Sequence, residues 1–242
     1  MVKNPEHTAE EHIVPFVSQA EKGAYNGTMS ASEKLNLFIQ NNRRIIGLAG
    51  ASILVLLIGF IAGLVIADAL RTRALTQVEE FNRRYESLNL TDASKEGEVT
   101  AFIDELTLFA DKHSGYASAR GYSLLGGIYM EKKDWSAAQK AWSAAAKSGA
   151  KTYMVPVSLC NAAVAAEEQG DIQGAVDFYT QSIAFGETFP TASRAQFQIG
   201  RLEEERNNKD AALQAYREVI NKWPDDQLWT NLAQSRIIAL TL

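Results

Sequence analysis

Histidine and cysteine are scarce in this chain. There are three histidines, His7, His12 and His113, and one cysteine, Cys160, among 242 residues. A lone thiol excludes a disulfide within the chain, and so few nitrogen and sulfur ligands argue against a protein-only zinc site. No histidine lies near Cys160 in sequence, so a Cys–His nucleophile has no material. Phosphate loops, dinucleotide fingerprints and serine elbows are also missing. Positive charge is not in excess either. The net charge is −5, and the five basic and five acidic residues before position 45 cancel, so the acid lies beyond. Such a balance is unsuited to binding nucleic-acid phosphates. Glu167-Glu168 and Glu203-Glu204-Glu205 then read as solvated helix faces rather than a catalytic or calcium site. Cys160, set among Leu159, Ala162 and Ala163, reads as a small residue at a helix-packing edge. The expectation is a chain with no catalytic residue, no metal ligand and no cofactor, and not an enzyme.

Charge is wholly absent from residues 45–67, IIGLAGASILVLLIGFIAGLVIA. At 1.5 Å per residue this run spans about 34 Å, against a hydrocarbon core of about 30 Å. A secretory signal has a shorter apolar region closer to the start, whereas 44 residues precede this one. A retained transmembrane helix is the expectation. Its orientation stays open on charge, because Lys34, Arg43 and Arg44 on one flank nearly balance Arg71, Arg73, Arg83 and Arg84 on the other. Within the run, Gly59 and Gly63 form a G-x-x-x-G, spacing that lets a second membrane helix approach closely. Self-association or docking on a membrane-embedded partner follows as one possibility; ordinary membrane-helix glycine is the other.

Residues 1–44 read as a flexible tail, interrupted by the apolar patch Ile13-Val14-Pro15-Phe16-Val17, a candidate docking segment. Ser32 and Glu33 are placed to open a short helix leading into the apolar run.

Beyond the run, apolar residues recur at three and four, never at two, so the expectation is all helix. A leading hairpin is expected over 71–118. Its first helix, 72–90, puts Ala74, Val78, Phe81 and Tyr85 on one face; its second, 96–112, carries Val99, Phe102, Leu106 and Phe109. Asn89, Thr91 and Asp92 separate them. From 119 to 242 the sequence repeats. Leu125-Gly126-Gly127-Ile128-Tyr129, Ala138 and Trp142 return 37 residues later as Ala162 to Ala166, Ala175 and Tyr179. Another 37 residues bring Ile199-Gly200-Arg201-Leu202, Ala212 and Tyr216, and a last unit starts near Trp229. Gly126, Ala163 and Gly200 mark the first helix of each pair, and Ala138, Ala175 and Ala212 the second. Small residues at both places let two helices cross closely, with Trp142, Tyr179 and Tyr216 filling space behind the crossing. Lys133-Asp134, Gly170-Asp171 and Asn207-Asn208 mark the turns. Residues 228–240 are expected as a capping helix.

Tyr122, Leu125, Gly126, Tyr129, Ala138, Trp142 and Ala145 resemble the tetratricopeptide consensus, as do Gly170, Asp171, Ala175 and Tyr179 in the second unit and Gly200, Ala212, Tyr216 and Pro224 in the third. The resemblance implies an all-α solenoid of helical hairpins behind a single N-terminal transmembrane helix. The layout also resembles the bacterial family of membrane-anchored repeat proteins that includes the ancillary subunit of the Sec translocon, although the tail is longer than that family leads one to expect. That likeness implies a cytoplasmic N-terminus, an inner-membrane anchor, an extracytoplasmic repeat domain, and a scaffold or chaperone-like role in which the partners are proteins or peptides. A structural component that self-associates or organises an envelope complex is the alternative. The first helices of such a solenoid line its inner face. This makes Arg120, Met130, Glu131, Glu167, Arg194, Phe197, Arg201 and Glu204 the candidate peptide contacts. Asn161 fits one place in the carboxylate clamp of some tetratricopeptide domains, but its basic companions are missing from the pattern.

Overall fold

The computed structural model describes residues 29–242 except 89, 91, 150, 151, 187 and 188. The Ile13–Val17 patch, Asn89 and Thr91 therefore lie outside the described residues. Among the described residues every regular element is helical. The chain divides into two compact units, Met1–Ala62 and Gly63–Leu242.

Helix α1 runs Ala31–Ser87. It does not begin anew at 72 as expected, because Ala67-Asp68-Ala69-Leu70-Arg71 contains no glycine or proline and is rich in strong helix formers. Its N-terminus is capped by Ser30, two residues ahead of the expected Ser32, with Glu33 as the partner. Ser30 Oγ accepts from the Glu33 amide at 3.3 Å, and the Glu33 carboxylate accepts from the Ser30 amide at 2.9 Å, a reciprocal capping box. The apolar stretch of α1 is long enough to cross a membrane, and none of its most apolar window is buried.

The second unit holds the later part of α1, then α2 (Glu96–Lys112), α3 (Gly115–Glu131), α4 (Trp135–Ser148), α5 (Met154–Glu168), α6 (Ile172–Ile183), α7 (Ala192–Glu205), α8 (Lys209–Lys222) and α9 (Gln227–Thr241). Ala74, Val78 and Phe81 of α1 pack with Phe102, Leu106 and Phe109 of α2 and Ala117, Leu125 and Ile128 of α3. Phe81 meets Phe102 edge-on at 5.9 Å and Phe109 at 5.2 Å. Two further clusters follow the repeat. Ala163, Ala175, Tyr179 and Leu202 form one, and Ala212, Tyr216, Val219 and Ala233 the other. Pro156 is tolerated in the first turn of α5, where no helical partner awaits its missing N–H.

The turn inside each hairpin is the same structure three times. Lys133, Gly170 and Asn207, each 37 residues apart, take φ of 57°, 78° and 59°. The next amide reaches back five residues, from Asp134 to the Tyr129 carbonyl, Asp171 to Ala166 and Asn208 to Glu203, at 2.9, 2.9 and 2.8 Å. This satisfies carbonyls that a helix end leaves open. Asp134, Asp171 and Asn208 then cap the following helix by accepting from the amides of Ala137, Gly174 and Ala211, each cap worth about 1 kcal/mol. Only Gly170 adopts its left-handed backbone without a Cβ penalty; Lys133 is exposed and lacks the short polar side chain that eases Asn207. Lys133→Gly should therefore stabilise the second unit by about 1 kcal/mol, raising Tm by about 2–4 °C in a thermal melt. An unchanged or lower Tm would show that the turn is not strained.

The close approach between paired helices differs in detail from the expectation. The aromatic side chain sits directly on the small residue, not behind it. A Cβ built on Gly126 would lie 2.6 Å from the Trp142 ring, and one on Gly200 would lie 2.5 Å from the Tyr216 ring. Ala138, Ala163, Ala175 and Ala212 are wholly buried.

Candidate functional site

The first helices of the three hairpins are α3, α5 and α7, and the expected contact residues fall on them. Much of their polar chemistry is already used within the chain. Arg201 pairs with Glu167 of α5 at 2.6 Å, lies 3.7 Å from Glu205, and donates to Gln198 Oε1 at 2.7 Å. It ties one hairpin to the next. Both members of the Arg201–Glu167 pair keep a quarter or more of their side-chain surface in solvent, so its net contribution is below about 1 kcal/mol. Glu131 accepts from the Tyr85 hydroxyl, and Arg120 donates to Asn82 Oδ1 at 3.2 Å. Burial and the Glu131 carboxylate push the Tyr85 hydroxyl up to about 12, which keeps it a donor. Met130 is half-buried.

Glu204 is the most constrained of the expected residues. Its carboxylate accepts from the Tyr216 hydroxyl at 2.8 Å and from the Arg236 guanidinium at 2.7, 2.9 and 3.1 Å, joining α7, α8 and α9. Only 13 % of its side chain remains exposed. Burial and this carboxylate push the Tyr216 hydroxyl well above the usual phenol range. Phe197, expected as an apolar ligand contact, instead packs between Tyr216 and Trp229, each at 5.2 Å between ring centres. Phe197 and Glu204 thus hold α9 onto the last hairpin. Neither is a free contact, because α9 covers the place where a fourth first helix would otherwise leave them open.

What remains available is Arg194. It is exposed, and it has no ion-pair partner among the described residues. With Asn161, Cys160, Val164, Tyr179, Thr191 and Ala195 it lines a small recess between α5, α6 and α7 of about 80 Å³. Sequence reasoning took Asn161 and Arg194 separately; the fold puts them side by side and supplies Asn161 with one basic companion. Cys160 in that recess donates to Ser182 Oγ at 3.4 Å, and burial pushes its thiol up, so it stays protonated at neutral pH. A second feature was missed. Tyr116 and Tyr153 are exposed and occupy equivalent positions 37 residues apart, and the Tyr153 hydroxyl pushes that of Tyr116 up. Their spacing was visible in the sequence, but they precede the small-residue pattern that set the register.

Among the described residues no three His, Cys, Asp or Glu side chains gather to hold a metal ion.

Residues 194–226 match the tetratricopeptide repeat family. That match spans one repeat unit, the third hairpin. A tetratricopeptide repeat-containing protein of Treponema pallidum (strain Nichols) is 28% identical over 228 residues, covering 86% of this chain and 94% of its own. Among solved structures, the tetratricopeptide domain of Arabidopsis OM64 superposes with a TM-score of 0.41 at 18% identity, over 50% of this chain and 94% of that one. Tetratricopeptide repeats as a class stack into solenoids whose extended faces bind proteins or peptides. The matched segment begins at Arg194 itself and includes Phe197, Arg201 and Glu204, so it holds four of the eight expected contact residues, together with Tyr216.

Proposed function

We propose that this chain is a membrane-tethered protein-interaction scaffold or chaperone-like adaptor, held by α1 in the plasma membrane, with its repeats presented outside the cytoplasm to secreted or envelope proteins. The observation that carries the tethering is the apolar stretch of α1. Leu48, Val55, Leu56, Ile45 and Phe60 each expose 65% or more of their surface, and nothing in the described chain covers them. Water does not tolerate a continuous apolar cylinder of that length, whereas a bilayer requires one. The binding face is the recess of Arg194 and Asn161, which suits an acidic side chain or a peptide carboxylate. Alkaline carbonate extraction, followed by protease protection in intact cells, tests the tether and its orientation. Recovery of the chain in the soluble fraction, or digestion of the repeats only after the inner membrane is opened from the cytoplasmic side, would remove this reading.

A self-associating structural role is the second reading. It is favoured by Gly59 and Gly63, at which an added Cβ would meet nothing within 4 Å. Leucine at both positions should then disperse the assembly in detergent sedimentation, and an unchanged size would exclude that route.

A further inference from the structure

We propose that a cavity where α1 meets the junction of α2 and α3 binds the phosphate of an anionic phospholipid. The proposal rests on the membrane-tethered reading above. The cavity encloses about 630 Å³, within the range of small-molecule sites. One wall is Ala67, Leu70, Arg71, Ala74 and Leu75 of α1; the other is the stretch from Lys112 to Ala117. Its two cations, Arg71 and Lys112, have no carboxylate partner among the described residues, and no acid lines the cavity. Asp68, the nearest acid to Arg71 on α1, is not among the lining residues.

His113 Nδ1 lies 2.8 Å from the Phe109 carbonyl, and its ring stacks on Phe109 at 4.3 Å. This fixes the ring with Nδ1–H donating to the carbonyl, so His113 shapes the cavity and the anion donors are the cations and the backbone amides. Helix α3 begins here, and Ser114, its N-cap residue, makes no side-chain cap hydrogen bond to the first amides. Those amides add to the two cations as anion donors. The cavity thus combines apolar side chains of α1 with two cations, as the ester and phosphate region of a phospholipid requires.

Depth agrees with this chemistry. Ala67 closes the uncharged run, and Arg71 follows it by one helical turn, about 6 Å along the axis. The headgroup layer is about 5–8 Å thick on each side of the hydrocarbon core. A bilayer that accommodates the run therefore brings lipid phosphates level with Arg71. Anionic lipids are attracted to such juxtamembrane cations, whereas zwitterionic lipids are attracted far less.

Native mass spectrometry of the full chain in dodecyl maltoside tests the site, with palmitoyl-oleoyl phosphatidylglycerol, the matching phosphatidylcholine, and water-soluble glycerol 3-phosphate as probes. One phosphatidylglycerol should be retained per chain, at least tenfold more tightly than either other probe. Arg71→Gln with Lys112→Gln should weaken it at least tenfold, and Ser114→Glu, which leaves α1 and both cations in place, should do the same. Lys140→Gln with Lys147→Gln removes equal charge from α4 and should leave retention unchanged. Equal retention of the two lipids, equal loss from the two double variants, or glycerol 3-phosphate binding as tightly as the lipid would each overturn the site. Carbonate extraction separates the two failures: a chain that stays in the membrane without lipid selectivity loses only the site, and a chain that is extracted loses the tether.

Discussion

Gly200→Leu is expected to destabilise the repeat region by about 3 kcal/mol or more, enough to lower its urea midpoint by about 1 M or more. The Tyr216 ring lies 2.5 Å from where a Cβ would stand, and that ring is wholly buried. It is held by Phe197 on one side and tied to Glu204 through its hydroxyl. The ring cannot swing away without breaking both contacts, so the backbones must separate. Gly200→Ala should show the same sign at smaller size, since the better helix propensity of alanine offsets about 1 kcal/mol of the clash. Pairing Gly200→Ala with Tyr216→Leu should cost less than the sum of the two single changes, because the smaller side chain makes room for the methyl. Gly126→Ala should be milder than Gly200→Ala, because Trp142 is only half-buried and can shift. Strict additivity in the cycle, or a Gly200→Leu chain that melts like its parent, would remove the close-crossing account of these repeats.

Glu204→Ala should cost about 2–4 kcal/mol, out of proportion for one carboxylate on a helix surface. The reason is its position at the meeting of α7, α8 and α9. Its loss leaves the buried end of Tyr216 without an acceptor and strips Arg236 of a bidentate partner. Arg236→Ala should cost less, because its side chain is about half-exposed and Glu204 keeps the Tyr216 hydroxyl. Urea unfolding of Glu204→Ala, Arg236→Ala and the double variant measures the coupling. A Glu204→Ala cost no larger than that of Arg236→Ala would show that the tyrosine contact contributes nothing. Hydrogen exchange should find α9 opening first in Glu204→Ala; equal protection of α9 in the two variants would point the same way as equal costs, against a role for the tyrosine contact.

The hairpins were legible because their determinants are local. A left-handed residue, an Asx cap three residues before its amide partner, and a glycine or alanine facing an aromatic all lie within one 37-residue unit, so their spacing survives in the sequence. Side chains whose partners lie in other units were not legible. Glu204 reads as one acid in a row of three until the rotation between hairpins brings Arg236 to it. Phe197 reads as a surface aromatic until α9 lays Trp229 over it. Arg194 and Asn161 are separated by 33 positions and become neighbours only through the packing of α7 on α5. The uninterrupted course of α1 past residue 72 was missed for another reason: the change from apolar to amphipathic pattern looked like a boundary, but pattern records what surrounds a helix, not where its backbone hydrogen bonds stop.

The three matched turns carry a consequence for how such a chain can change length. Lys133, Gly170 and Asn207 occupy one backbone conformation at one phase of the repeat. A 37-residue block excised between two successive ones begins and ends with the same geometry. Copying that block in tandem therefore creates no new kind of junction, and the duplicated hairpin meets on either side a surface of the type it already packs against. Growth and shrinkage by whole blocks is the cheapest mutation open to this architecture, whereas a shift of even one residue in the cut would turn every following helix by about 100° and scramble the contacts beyond it.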